Sequence, residues 1–191
     1  MVVCTLHRLA GACMEVLYST TFTSAVGPLF LAASECGVVA LEFDARSQGQ
    51  QSIRPNPRHV REENSPVEFR QSDDRMLPYV SELNEYFAGQ RRAFGFPLDL
   101  RGTDFQLACW RALLAIPYGE TRSYADVARS VGKPHAFRAV GMANNRNPIA
   151  IVVPCHRVIA SDGTLCGYGG GLDVKRRLLE LEGALTGILA A

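Results

Sequence analysis

Short apolar runs punctuated by turn residues open the chain, and longer stretches of helical spacing follow. Thr20 to Asp44 reads as two strands. Gly27-Pro28 breaks the first, Leu29 to Ala33 is short and apolar, Glu35-Cys36-Gly37 makes a turn, and Val38 to Phe43 follows as a β-rich run, together a hairpin-like pattern. Ala45 to Arg75 is polar, carries Pro55, Pro57 and Pro66 and reads as an exposed loop. From Leu77 to Ala88 the period changes: Leu77, Val80, Leu83, Tyr86 and Phe87 fall near one helical face, with Gly89 placed to cap the C-terminus. Phe94 to Leu98 reads as one more short strand.

A domain boundary is expected near Arg101-Gly102. Thr103 can cap a helix, with Gln106 as its capping-box partner. Phe105, Leu107, Ala108, Trp110, Leu113 and Leu114 give that helix a broad apolar face until Pro117-Tyr118-Gly119 stops it. Ser123 precedes a short helix from Tyr124 to Val131, ended by Gly132-Lys133-Pro134, and a second short helix runs from about His135 to Asn144. Two short helices around a tight glycine-containing turn fit a helix-turn-helix, a pattern that many helical hairpins share without binding anything. Ile149 to Val153 reads as a buried strand that ends abruptly at Pro154-Cys155-His156-Arg157-Val158.

Composition narrows the class. With 191 residues, 47% of them hydrophobic, the chain can bury a real core in one or two domains. No apolar run has the length of a membrane span, and Arg8 and Glu15 interrupt the N-terminal apolar residues, so neither a secretory signal nor an anchor is expected. Six cysteines are irregularly spaced with no Cys-x-x-Cys pair. That spacing points to reduced thiols in an intracellular protein rather than to a disulfide framework or a zinc ribbon. Cys4, His7, Cys13 and Cys36 do not match a closed zinc motif either, so no metal is expected. The net charge of +1 hides an asymmetry: residues 1–100 hold 9 Lys or Arg against 12 Asp or Glu, and residues 101–191 hold 11 against 7. A basic C-terminal half suits a polyanion partner, and ordinary scatter would also produce it.

The candidate chemistry sits at Cys155. A thiol at the end of an apolar strand beside a histidine can be a nucleophile, since a base or positive charge makes the thiolate available. Adjacent strand residues point to opposite faces, so an inert buried cysteine beside a surface histidine fits the same residues. Arg157 reads as structural, pairing a carboxylate or a carbonyl. Asn147 before Pro148 reads as a turn. Taken alone, Arg138 is a solvent-facing helix arginine, Tyr124 a partly packed ring, Glu182 a solvated helix charge, and Tyr168 before Gly169-Gly170-Gly171 a flexible turn. Cys109 and Cys166 have no base beside them in sequence and read as packing residues.

The string Pro154-Cys155-His156-Arg157-Val158 resembles the active-site signature of the methylated-DNA–protein-cysteine methyltransferases, also called alkylguanine-DNA alkyltransferases. Gly102 to Gln106, Trp110 to Leu113, Ile116 to Gly119, Ser123-Tyr124, Arg138 to Gly141, Asn147-Pro148, Tyr168 to Gly171, Lys175, Leu178-Leu179 and Glu182-Gly183 are similar to family segments in the same order. Over the first hundred residues the likeness rests on Gly27-Pro28-Leu29 and Glu85 to Gly89.

The resemblance implies an α+β protein. A mixed N-terminal domain over 1–100, with a small antiparallel sheet and a helix in a ribonuclease H-like arrangement, would precede a mostly helical, winged helix-turn-helix-like domain over 101–191 carrying the active site. It implies repair of DNA by flipping out 6-O-alkylguanine, mainly 6-O-methylguanine and also 4-O-methylthymine, and single-turnover transfer of the alkyl group to Cys155. His156 would act through a water as the base that keeps the thiol ionised, Glu182 would orient His156, and Asn147 would tie the active-site strand to the helix-turn-helix. Tyr124 would crowd the 3′ phosphate and protonate the departing guanine. Arg138 would fill the gap in the base stack, and the small Ala139 and Gly141 would let their helix approach a minor groove. Tyr124, Val158, Tyr168 and Gly169 would line the base pocket. No cofactor is implied, and the protein would be a monomer without DNA, working in the cytoplasm or, in a eukaryote, the nucleus.

Departures from the pattern are Phe137, where a small residue is common before the arginine, and the extra cysteines. The alternative within the same lineage is a non-catalytic alkyltransferase-like damage binder, but such proteins lack the acceptor that Cys155 supplies. A plain helix-turn-helix regulator would leave Cys155, His156 and Glu182 without a task. A cysteine hydrolase would need an oxyanion hole that the sequence does not reveal.

Overall fold

Val16, Tyr18, Thr20, Phe22 and their neighbours favour a half-buried pleated surface, and Glu15–Ser24 is a strand, β1. It continues through a two-residue turn into β2 (Gly27–Ser34), and β2 turns at Glu35-Cys36 into β3 (Gly37–Phe43). The region read as two strands is therefore part of a three-stranded meander. Its first strand begins upstream at Glu15, where the carboxylate is held by Arg101 at 2.7 and 2.8 Å, a partner too distant in sequence to anticipate. A fourth strand, β4 (Val67–Gln71), pairs parallel to β1, giving the order β3-β2-β1-β4. The sheet is mixed rather than purely antiparallel, and the polar segment expected to run as loop to Arg75 already contains β4. As an edge strand with one exposed side, β4 has too few apolar residues to stand out.

Helix α1 (Asp73–Phe87) starts just after β4. Its entry is fixed by Ser72 N–H donating to the Ser19 carbonyl and by the Thr20 hydroxyl donating to Asp73, and Met76, Leu83 and Tyr86 form its buried face. Leu17, Phe30, Ala32, Val39 and Ala40 pack as a cluster within this unit. Phe94 to Leu98 is not a strand. Leu98 makes a single parallel bridge to Val38, with Val38 N–H donating to the Pro97 carbonyl and Asp99 N–H to the Val38 carbonyl. The close approach is possible because residue 37 is glycine: at φ +143° a Cβ there would lie 2.4 Å from the Pro97 oxygen.

A computed structural model describes residues 14–43 and 67–187 of the chain. Cys4, His7, Cys13 and most of the polar 45–75 segment lie outside the described residues. Contacts divide the chain into two units, 1–101 and 102–191.

The second unit opens with α2 (Asp104–Leu114), capped as the sequence suggests: Thr103 and Gln106 exchange both capping-box bonds. Trp110 is buried, and its indole N–H donates to the Ala143 carbonyl at 3.0 Å. Strand β5 (Arg122–Ser123) leads into α3 (Tyr124–Ser130), where Ser123 and Asp126 form a second capping box. The helix ends in a Schellman turn, with Lys133 N–H on the Ala128 carbonyl and Gly132 N–H on Arg129, Gly132 adopting φ +70°. Helix α4 (Phe137–Asn145) completes the helix-turn-helix. A 3-10 turn (Cys155–Arg157) runs into β6 (Val158–Ile159), which pairs parallel to β5. Helix α5 (Leu172–Leu181) and a 3-10 turn (Ala184–Gly187) follow. Among the described residues no helix is long and apolar enough to cross a membrane.

Candidate active site

The run Ile149 to Val153 is not a strand. Val153 N–H bonds back to the Ile149 carbonyl, Val152 N–H to Ala150 and Cys155 N–H to Val153, so the segment folds into consecutive tight turns. Five consecutive apolar residues read alike in a buried strand and a buried turn; the turn is selected by Asn147. Its Oδ1 accepts from Ile149 N–H at 3.1 Å, and its Nδ2 donates to the Val153 carbonyl at 2.8 Å and to the Cys155 Sγ at 3.2 Å. Its own N–H donates to the Asn144 carbonyl near the end of α4, joining the turn to the helix-turn-helix. Within the turn Ile151 is held at φ +72°, a conformation that costs a β-branched residue about 1–3 kcal/mol.

The turn delivers Cys155 to the start of the 3-10 segment. There, unlike on a strand, Cys155, His156 and Arg157 are all buried. Glu182, the residue capping α5 at its C-terminal end, lies against the last two. His156 Nε2 is 2.9 Å from Glu182 Oε1. Arg157 donates to both carboxylate oxygens, at 2.8 and 2.9 Å, and to the Ile116 carbonyl at 2.6 Å. The backbone N–H of Gly119 adds a longer bond to Oε2 at 3.4 Å. Burial alone would raise the Glu182 carboxyl; the bonds from His156 and Arg157 outweigh it and hold the group well below the usual carboxylate range. A carboxylate only accepts, so His156 carries its proton on Nε2. Its Nδ1, buried and without a protein partner, is left as an acceptor. Burial lowers the imidazole's pKa against the pull of Glu182, so His156 is a neutral base.

Burial pushes Cys155 up, and the groups that push it back down are the Asn147 amide and the Lys175 ammonium, not His156 and Glu182. The reason is local: a neutral histidine has no charge to offer, and the Glu182 charge is already balanced by Arg157. Burial thus opposes the ionised thiol, and the Asn147 amide and the Lys175 ammonium favour it.

A cavity of about 300 Å³ opens over Cys155, bounded by Tyr124, Gly141, Asn144, Asn145, Cys166 and the loop Gly167 to Gly169. Tyr124, Tyr168 and Gly169, expected to line a base pocket, all border this cavity. At Gly169 a Cβ would meet nothing within 4 Å, so the wall there is open. Val158 is not part of the lining: pairing with β5 takes it fully into the core, and its carbonyl accepts from Lys175 Nζ at 2.6 Å. Lys175 is a site residue that the sequence reading passed over. It is fully buried and also donates to the Cys166 carbonyl at 2.8 Å; a lysine in register with Leu178, Leu179 and Glu182 on one helical face was the available signal. Cys166, read as packing, lines the cavity with Tyr124; burial first, and the neighbouring Cys166 thiol second, raise the phenol.

Arg138 stands exposed on α4, and Ala139 and Gly141 are half-buried. A Cβ at Gly141 would make only ordinary contact, 3.7 Å from the Tyr124 ring, so internal packing does not demand glycine there. From Val127 to Ser161 the sequence contains no Asp or Glu; Lys133, Arg138 and Arg146 are exposed there, while Arg129 pairs with Asp126 and Arg157 is buried against Glu182.

Comparisons with known proteins fit this geometry. Residues 17–100 match the ribonuclease-like domain of the 6-O-methylguanine DNA methyltransferases, and residues 104–184 match their DNA-binding domain. A methylated-DNA–protein-cysteine methyltransferase of Methanosarcina barkeri is 45% identical over 166 residues, covering 87% of this chain and 97% of its own. A crystal structure of the Mycobacterium tuberculosis 6-O-methylguanine methyltransferase aligns with TM-score 0.71 and 46% identity, over 88% of this chain and 93% of its own. A structure of a protein from the same organism in complex with DNA aligns with TM-score 0.70 and 44% identity over the same shares.

Proposed function

Because the chain belongs to the 6-O-methylguanine DNA methyltransferase family, we propose that it repairs DNA by accepting the alkyl group of a flipped-out 6-O-alkylguanine on Cys155. The observation that carries this reading is the Asn147–Cys155 contact at the cavity, with a neutral histidine next in the chain whose free nitrogen is an acceptor. The target atom lies inside a duplex, so the base must leave the stack to reach that cavity.

The chemistry is a displacement at carbon. As the thiol proton moves to His156 Nδ1, through one water, Sγ attacks the alkyl carbon. A C–S bond forms, the C–O6 bond breaks, and its electron pair passes into the guanine ring, which takes a proton from the Tyr124 hydroxyl. Glu182 stabilises the imidazolium that appears. Lys175 and Asn147 stabilise negative charge on Sγ while it exists. The thioether offers no easy return to thiolate, so each protein reacts once. Residues 101–191 perform binding and transfer, and residues 1–100 serve as a structural domain. The basic stretch from Val127 to Ser161 supports duplex binding through α4, whose small Ala139 and Gly141 suit the minor groove. Such repair acts on DNA, in the cytoplasm or, in a eukaryote, the nucleus.

Intact-protein mass after mixing with an oligonucleotide carrying 6-O-methylguanine tests the reading. One added methyl, mapped to the Cys155 peptide and absent from Cys155→Ala, is the expected result. A methyl gained by Cys155→Ala would move the acceptor to Cys166.

A further inference from the structure

Helix α4 exposes two large apolar side chains on a surface that is otherwise polar and basic. Phe137, its first residue, is 47% exposed and Met142 is 59% exposed. Only six large hydrophobic side chains among the described residues are exposed, and two of them stand on this nine-residue helix, so the face is unlike the rest of the surface. Residues 137, 138, 141, 142 and 145 share one side of the helix by their spacing. The guanidinium carbon of Arg138 lies 5.9 Å from the centre of the Phe137 ring, within cation–π range. Phe137 also borders an open hollow of about 460 Å³ lined by Tyr124, Ala125, Gly141, Ala160 and Ser161. Tyr124 and Gly141 separate that hollow from the cavity over Cys155, since both border each.

An exposed phenylalanine is not explained by the core, and the surrounding charge says what would cover it. Lys133, Arg138 and Arg146 are exposed in the stretch from Val127 to Ser161, which holds no carboxylate of its own, and this favours a polyanion over an acidic or neutral protein face. Apolar wedges such as Phe and Met are the side chains that proteins push between base steps from the minor groove, where they unstack the step and kink the duplex. A ring already lying beside a guanidinium has its plane restricted before binding, which lowers the ordering cost of insertion.

We propose that Phe137 is a second wedge: with Arg138 in the place of the flipped nucleotide, the Phe137 ring stacks against the neighbouring base step and holds it open. The proposal rests on the reading of this chain as a base-flipping alkyltransferase, and it adds an apolar element to a gap otherwise filled by a cation alone. Opening the step lowers the cost of extruding the damaged nucleotide. Phe137 therefore contributes to reaction on duplex DNA and not to reaction with a base that is already free.

The test compares wild type, Phe137→Ala and Phe137→Leu on two substrates: a duplex with 6-O-methylguanine and 2-aminopurine at the adjacent step, and the free base 6-O-methylguanine. Expected are a rise in 2-aminopurine fluorescence on wild-type binding, its loss in Phe137→Ala, and a fall of about tenfold in that variant's duplex transfer rate. Phe137→Leu, still an apolar wedge, should keep most of both signals, and all three proteins should react equally with the free base. A wild-type duplex rate in Phe137→Ala overturns the proposal, as does an equal loss on both substrates or a failure of leucine to rescue. If wild type takes no methyl from either substrate, the alkyltransferase reading itself fails, which is a separate outcome.

Discussion

Asn147 shares one amide group between the Sγ of Cys155, at 3.2 Å, and the carbonyl of Val153, at 2.8 Å. The same side chain therefore shapes the strained turn around Ile151 and supplies a hydrogen bond to the reacting atom. A neutral donor on sulfur gains strength as the sulfur becomes negative, so the bond is worth more during attack than at rest.

Asn147→Asp should expose that difference. Aspartate keeps the size and the acceptor for Ile149 N–H but has no proton for sulfur and adds a negative charge beside it. Transfer at neutral pH should fall about 100-fold, equivalent to about 3 kcal/mol, and the pH–rate profile should shift to higher pH. Single-turnover rates across pH check this; an unshifted profile would reduce Asn147 to a purely structural role.

The buried array around Glu182 predicts how stability depends on acid. His156 is held below its ordinary value of 6.5, so the unfolded chain binds more protons than the folded one as pH falls below 6.5, and stability is lost there. Glu182 is depressed from 4.5; its contribution is present above 4.5 and is lost as pH falls below it. Unfolding free energy should decline in two stages, the second steeper. Glu182→Gln should cost about 3 kcal/mol near neutral pH, because it strands the buried Arg157, and should remove the second stage. Urea denaturation from pH 3 to 8 measures both. Persistence of the second stage in Glu182→Gln would assign it to other carboxylates.

Local signals were the legible ones. Thr103 and Gln106 announce the start of α2 because both halves of the cap lie within one turn of chain, and the Cys155-His156 adjacency marks the chemistry for the same reason. What stayed hidden depends on distant partners. Strand β1 begins at Glu15 because Arg101 holds that carboxylate, and β4 is visible only through its pairing with β1. The Ile149 to Val153 run misleads because its apolar composition reports burial and not backbone direction. Within the site, the register of Lys175 on the buried helical face was legible, but its role depends on the carbonyls of Val158 and Cys166 that converge on it. The burial that opposes the Cys155 thiolate, and the part Lys175 plays in offsetting it, are properties of packing and not of sequence order.

Gly37→Ala is predicted to destabilise the first unit without touching the chemistry. The added Cβ would be 2.4 Å from the Pro97 oxygen at a backbone angle that disfavours side chains. The loss should be about 2 kcal/mol or more. Thermal unfolding checks it, with the transfer rate at low temperature kept near wild type. A stability equal to wild type would mean that the 97–99 segment moves aside readily.

Arg138→Ala separates extrusion of the base from reaction with it. Arg138 is exposed on α4 and does not line the cavity over Cys155, so its removal leaves the reacting groups in place. Flipping a nucleotide from a duplex costs a few kcal/mol, and a side chain that fills the vacated stack offsets part of that. The variant should therefore lose about 10- to 1,000-fold in duplex repair, the range that ~1.4–4 kcal/mol of lost offset implies, while free 6-O-methylguanine reacts at the wild-type rate. The experiment measures both rates at one fixed salt concentration, because backbone contacts from the basic second unit make affinity fall as salt rises. Equal losses on both substrates would place Arg138 in support of the pocket or the fold and remove it from the DNA gap.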